Sequence, residues 1–209
     1  KPFLKKLLEK HPEITTVVLN INNRFGPVIL GVREKVIYGS GYIEDVLCGK
    51  RFRISSRSFY QINPVQTEKL YSAAIGLAGL TGNETVLDAY CGIGTIGLSA
   101  SDKAKQVIGV EINRDAVNDA IANARLNGVK NCWFTVGDAG KYMEQMAADK
   151  VKPDIVFMDP PRAGSDERFL SSLLKCAPKR IVYISCNIDT QRRDLDVLLS
   201  GGYKLRRIQ

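Results

Sequence analysis

The sequence predicts an α/β protein whose main part is a doubly wound, Rossmann-like parallel sheet, preceded by a small α+β region. Two observations carry that prediction. Beyond Pro64, short apolar runs alternate with stretches of helical length and polar connections, the pattern of strands joined by right-handed helical crossovers. Three of those runs also end in loops rich in reactive or turn-forming residues: Asp88–Gly97, Asp159–Arg162 and Ser185–Asn187. In open parallel sheets, ligands lie beyond the carboxyl ends of the strands.

Residues 1–60 are expected to form part of the α+β region, and residues 61–209 the main domain. A short helix opens the chain. Ile14–Ile21 is β-rich, Asn22–Pro27 reads as a turn, and Val28–Val32 and Val36–Tyr38 resume the strand pattern. Arg51–Asn63 alternates apolar with polar residues, and Pro64 opens a helix at its favoured first position. Strands follow at Thr85–Ala89, Gln106–Glu111, Cys132–Val136, Asp154–Met158 and Arg180–Ser185. Helices fall near Thr95–Lys103, Arg114–Asn127, Gly140–Asp149, Glu167–Lys175 and Thr190–Ser200. Gly201–Gln209 begins a further strand and stops, so the chain reads as an internal piece of a longer protein.

The composition, 44% hydrophobic over 209 residues, allows a full core. No apolar run reaches the roughly 18 residues of a membrane span. Five cysteines form an odd set without a C-x-x-C pair, which suggests neither a disulfide framework nor a zinc ribbon, and no metal site is expected. Free thiols fit a reducing, cytoplasmic location. The net charge of +8 favours a polyanionic partner such as nucleic acid.

Gly92-Ile-Gly94-Thr95-Ile-Gly97 satisfies the dinucleotide pattern G-x-G-x-x-G. Asp88, four residues before the first glycine, argues against a pyrophosphate and for a cationic ammonium, hence for S-adenosylmethionine. Glu111 ends the next strand at the spacing from which an acid reaches ribose hydroxyls. Asp138, after the third strand, could meet the adenine amino group. The bland readings are a glycine turn of purely backbone origin and a helix-capping Glu111.

Asp159-Pro160-Pro161-Arg162 has an arginine where amino-methylating enzymes carry an aromatic ring, which lowers the case for methylation of an exocyclic nitrogen. Its carboxylate could hold a ring imide or the cofactor, or simply cap the following helix. Carbon methylation of a pyrimidine needs a thiolate that adds to C6 and turns C5 into a nucleophile. Cys186, at a strand end, is the natural thiolate. Against it stand a buried structural role, the usual one for free cysteine, and Cys91 in the glycine loop as a competing thiol. Asp189, Asp194 and Asp196 read as helix start and helix surface.

The words Phe59-Tyr-Gln61-Ile-Asn63-Pro64, Asp88-Ala-Tyr90-Cys91-Gly92-Ile-Gly94, Asp159-Pro-Pro-Arg162 and Ser185-Cys186-Asn187 resemble those of the RNA 5-methyluridine (uracil-C5) methyltransferases, across nearly the whole chain. The resemblance implies a class I S-adenosylmethionine-dependent methyltransferase fold and an RNA substrate, with the 23S ribosomal branch expected. It implies that Gln61, Tyr90, Thr95, Glu111, Asp138 and Asp159 line the cofactor pocket along with Asp88, Gly92 and Gly94. Cys186 is then the nucleophile, with Asp159 beside it, and Phe59, Gln61 and Arg162 face the flipped uracil. Two departures stand out: Ile188 occupies the family's usual proline position, and the family's glutamate base is absent from these residues. Its N-terminal oligonucleotide-binding barrel and any iron–sulfur cysteine cluster are also absent from them. The rivals are a transfer-RNA uridine-C5 enzyme, an RNA cytosine-C5 methyltransferase, which would carry a second cysteine in the Asp159 loop, and a non-catalytic RNA-binding module.

Overall fold

A computed structural model describes residues 2–23, 26 and 29–209. Helix α1 (Pro2–Lys10) leads into an antiparallel pair, β1 (Val17–Ile21) and β2 (Arg33–Tyr38). The expected strand over Val28–Val32 is not formed by Ile29–Val32; Val28 lies outside the described residues, as does part of the Asn22–Pro27 turn. Side chains take the place of a ladder there. Asn20 accepts from the Gly31 N–H (2.7 Å) and donates to its carbonyl (3.1 Å), while Asn22 donates to the Ile29 carbonyl (3.1 Å).

A hairpin follows, β3 (Tyr42–Leu47) with β4 (Lys50–Ser55), and its first strand lies outside the strands expected from the sequence. Its two-residue turn, Cys48-Gly49, has positive φ at both positions (51° and 73°), the left-handed pair that matches strand twist. Cysteine in place of the usual asparagine or aspartate hid that signal. Strand β4 ends at Ser55, so the alternation through Asn63 is a loop and not a strand.

The outer edge of β4 is covered by a helix, α4 (Arg114–Leu126). Asn127, its C-cap, exchanges two hydrogen bonds with the Arg51 backbone (2.8 and 2.7 Å). Asn123 does the same with Arg53 (2.7 and 3.2 Å), and Asp119 accepts from the Ser55 N–H (3.1 Å). The spacing is a geometric match: four helical residues rise about 6 Å, and two strand residues about 6.8 Å. Three side chains one helical turn apart thus serve alternate residues of the strand and protect an edge that would otherwise be open. Asn123 is fully buried and also donates to the Ile93 carbonyl. Asn123→Ala is expected to lower stability by about 2–3 kcal/mol, because it strands a buried donor and two carbonyls. Urea unfolding measures this, and a variant as stable as the parent would mean that water satisfies the strand edge.

Helix α2 (Pro64–Ala78) begins at Pro64 as expected, capped by the Asn63 side chain on the Gln66 N–H (3.1 Å). The main sheet then runs β5 (Thr85–Ala89), β6 (Gln106–Glu111), β7 (Cys132–Val136), β8 (Ile155–Met158) and β9 (Arg180–Tyr183), all parallel, in the order β7-β6-β5-β8-β9. The helices between them are α3 (Thr95–Ala100), α4, α5 (Ala139–Ala148), α6 (Glu167–Cys176) and α7 (Ile188–Ser200). Central strand β8 is buried at every residue, as a strand covered on both faces must be. Val86, Val107, Ile155, Phe157 and Val182 pack with residues of α2, α3, α4 and the β3–β4 hairpin. Leu87, Val110, Val156 and Met158 pack with residues of α5, α6 and α7. Two-sided coverage with an all-parallel sheet is the doubly wound class expected. Residues 203–209 form no strand; Tyr203 instead donates to the Pro178 carbonyl (2.8 Å).

Strand order reverses between β5 and β8, since the chain winds outward through β6 and β7 and then returns to the other side of β5. That switch point opens the crevice in which such sheets bind ligands.

Candidate active site

Five loops meet the crevice at the carboxyl ends of β5 to β9. The loop after β5 turns through three left-handed residues, Tyr90 (φ 66°), Gly92 (φ 55°) and Gly94 (φ 83°). A side chain at Gly94 would meet Phe134 at 2.9 Å, whereas the space beside Gly92 is open. Tyr90 adopts this backbone without being glycine, a strain that tertiary contacts must hold. Its hydroxyl donates to Ser165 Oγ (3.2 Å), and its ring lies 5.4 Å from that of Phe169. Burial pushes its phenol up to about 12.

Asp88 lies beneath this loop with 0% exposure. Oδ2 accepts from the Gly97 N–H (2.8 Å), and Oδ1 is buried without a partner. Burial pushes the carboxyl up to about 7, against the Gly97 hydrogen bond and with help from the charges of Asp159 and Glu111. An orphaned acceptor at this depth fits a cationic or donor group arriving above it. Glu111 accepts from the Gly92 N–H (3.1 Å) and the Asn113 N–H (2.8 Å) and so ties the ends of β5 and β6 together. It does not cap α4, which Asn113 does. Thr95 shares a hydrogen bond with the Tyr71 hydroxyl (3.1 Å). Asp138 caps α5 through Lys141 N–H (2.9 Å) and bonds to no other element. Cys91 is buried, and burial pushes its thiol well up, so it presents no thiolate to the crevice.

Asp159 follows β8 directly. Among the described residues it has no hydrogen-bond or ion-pair partner, and burial pushes its carboxyl up to about 6. It caps nothing, because the N-cap of α6 is Asp166. Cys186 is exposed, and its sulfur has no hydrogen-bond partner among the described residues. It sits in a turn closed by Ser185, whose hydroxyl donates to the Asn187 carbonyl (2.9 Å) and accepts from the Asn187 N–H (3.1 Å). The loops carrying Asp159 and Cys186 are joined through the carbonyl of Arg162, which accepts from Asn187 Nδ2 (3.1 Å) and Thr190 Oγ1 (3.2 Å). The Arg162 side chain itself is exposed.

Phe59 is 75% exposed, and the half-buried Gln61 amide has no hydrogen-bond partner among the described residues. Their loop shares no hydrogen bond with the Asp159 or Cys186 loops. It is brought to the same end of the sheet by Asn113, which donates to the Arg57 carbonyl (3.1 Å), and by the Arg57–Asp115 ion pair (2.9 Å).

The arrangement presents an exposed thiol, an unpartnered carboxyl and a free amide around a glycine loop with an orphaned acid. A model of the tRNA (Uracil-5-)-methyltransferase family matches residues 28–208. The chain belongs to that family. An "Uncharacterized RNA methyltransferase" of Halalkalibacterium halodurans is 47% identical over 209 residues, and one of Listeria innocua 49% identical over 211. Both cover all of this chain but only 46% and 47% of their own length, so the chain spans about half of the curated relatives it matches. Among solved structures, the tRNA (uracil-54, C5)-methyltransferase of Pyrococcus abyssi in complex with S-adenosyl-L-homocysteine superposes with a TM-score of 0.76 at 28% identity, covering 91% of this chain and 46% of its own. A putative S-adenosylmethionine-dependent methyltransferase of Streptococcus mutans, at 13% identity and TM-score 0.64, shares the fold. The fold is that of the class I methyltransferases.

Asp194 was expected on a helix surface but has 0% exposure. It accepts from the Ser165 N–H (2.8 Å), the Tyr183 hydroxyl (2.7 Å) and the guanidinium of Arg193 (2.9 and 2.6 Å). The signal was available: Gln191, Asp194, Leu195 and Leu198 form the inward stripe of α7, and an acid on such a stripe needs buried partners.

Proposed function

We propose that this chain methylates C5 of uridine in RNA by covalent catalysis, with S-adenosylmethionine as methyl donor. The observation that carries the reading is the Asn187–Arg162–Thr190 link, which sets the exposed thiol of Cys186 beside the loop of Asp159 at the switch point of the sheet. Asp88, Gly92, Gly94, Thr95, Glu111 and Asp138, with Tyr90 and Gln61, would hold the cofactor. The orphaned Asp88 Oδ1 supports that assignment. When bound, the cofactor supplies an electrophilic methyl group.

The residues then divide the work. Cys186, as thiolate, bonds to C6 of uracil, and the ring's electron pair moves to C5 and O4. Carbon 5, a poor nucleophile in the free base, is thereby able to accept the methyl. Loss of the C5 proton to a base restores the C5–C6 double bond and expels the thiolate. Asp159, raised toward neutrality by burial, would hold the uracil imide or the cofactor. Phe59 offers a face for stacking, Gln61 a donor and an acceptor, and Arg162 a cation for phosphate or carbonyl oxygens. Ribosomal RNA, with 23S RNA first, is the proposed substrate. Transfer RNA is the second, favoured by the likeness to the Pyrococcus abyssi enzyme.

Incubating the intact protein with S-adenosylmethionine and RNA containing 5-fluorouridine is expected to trap a denaturation-resistant adduct at Cys186, since fluorine at C5 cannot leave as a proton does. RNA and cofactor binding without any adduct would point instead to a binding module or another target atom.

A further inference from the structure

Asp194 and Arg193 form a polar latch that the reaction above does not use directly. Asp194 Oδ2 takes the Ser165 N–H and the Tyr183 hydroxyl, and Oδ1 takes Arg193. Arg193 in turn donates to the carbonyls of Ala163 and Ser165, both at 3.0 Å. The fit is tight. A side chain at Gly164 (φ 77°) would meet Arg193 at 2.5 Å and Asp194 at 2.8 Å. The exit of the Asp159–Ser165 loop is thus fixed to α7, the helix whose N-cap residue, Asn187, follows Cys186. The Tyr90 hydroxyl bonds to the Ser165 side chain, whereas the latch takes only the Ser165 backbone.

We infer that Asp194 is a positioning residue for methyl transfer: its carboxylate, with Arg193, holds the Asp159 loop and the Cys186 loop in one frame and so sets the thiol against the uracil. The inference rests on the function proposed above. The chemistry of the latch requires an acceptor-only group, because every one of its partners is a donor. The amide side chain of an Asp194→Asn variant would turn an NH2 toward at least one of them. A misplacement of about 1 Å at reacting atoms costs about 100-fold in rate.

The test compares Asp194→Asn with Arg193→Gln, a change at a partly exposed side chain that keeps the acid and its bonds to Ser165 and Tyr183. In the intact protein, D194N is expected to lower kcat about 100-fold, with an unchanged Kd for S-adenosylhomocysteine, and R193Q to lower it less in the same direction. Amide exchange should quicken at Ser165 and at Cys186–Asn187 in both variants and stay unchanged at Gly97. Unchanged kcat, or a loss matched by weaker ligand binding and faster exchange throughout, would overturn the inference. If the parent protein forms no adduct with 5-fluorouridine RNA, the proposed function fails by itself. The exchange data then decide the latch alone, and an unaltered Cys186–Asn187 segment in D194N defeats it.

Discussion

Cys186→Ala is expected to abolish methyl transfer, lowering turnover by at least about 10,000-fold, or roughly 5.5 kcal/mol of barrier. The size follows from the chemistry. Without an adding thiolate, C5 of uracil has no electron pair to offer, and no neighbouring group replaces it: the other four cysteines are buried or half-buried, and burial raises the Cys91 thiol well above its ordinary value. The same substitution should leave folding within about 0.5 kcal/mol of the parent, since the Cys186 side chain is exposed and unbonded. Affinity for S-adenosylhomocysteine should also be kept, because none of the contacts around the glycine loop involves residue 186. Single-turnover methylation of uridine-containing RNA, with thermal unfolding alongside, checks all three. Measurable 5-methyluridine from the alanine variant at a tenth of the parent rate would eliminate the covalent route.

What the sequence disclosed, and what it hid, follows from the range of the interactions. The five parallel strands were legible because each is a local apolar run with a helix after it, and the predicted bounds of β5, β6 and β7 match the observed ones. Cys186, Asp159 and the glycine loop were legible because they stand where such runs end. The lead-in was harder. Its strands are short, two asparagine side chains replace backbone pairing at Ile29 and Gly31, and the β3–β4 turn uses Cys48 where asparagine or aspartate would have announced it. Asn123 and Asn127 carry no local sequence signal, yet they serve as the neighbouring strand of β4. Asp194 was misread for a related reason. Charge suggested surface, while its partners, Ser165 and Tyr183, lie 29 and 11 residues away in the chain. Contacts of this kind leave no local pattern beyond a polar residue on an apolar stripe.

The buried acid at the heart of the glycine loop gives the second large effect, and it should act in opposite directions on stability and on binding. Folded Asp88 titrates at about 7 against an ordinary 3.8, chiefly because burial disfavours its charge. The folded chain therefore keeps a proton that the unfolded chain releases. The stability this group contributes is complete below about pH 3.8 and is lost as pH rises through about 7, a change of about 4 kcal/mol for a shift of this size. Asp159, raised to about 6, slopes the same way. Asp88→Asn keeps an acceptor for the Gly97 N–H but has no charge to bury. Its urea-unfolding free energy should lose most of the decline between about pH 4 and pH 7, and at the upper end of that range it should exceed the parent's. Binding is expected to move the other way. A ligand ammonium above the orphaned Oδ1 favours the ionised acid, so its replacement should weaken S-adenosylmethionine binding by about 1.5–3 kcal/mol, the worth of a hydrogen bond to a charged group. An unchanged pH slope would remove Asp88 as its source. A stabilised variant that binds the cofactor as tightly as before would reduce the acid to an anchor for Gly97, whereas stability gained together with affinity lost is what a carboxylate held in readiness for a cation must show.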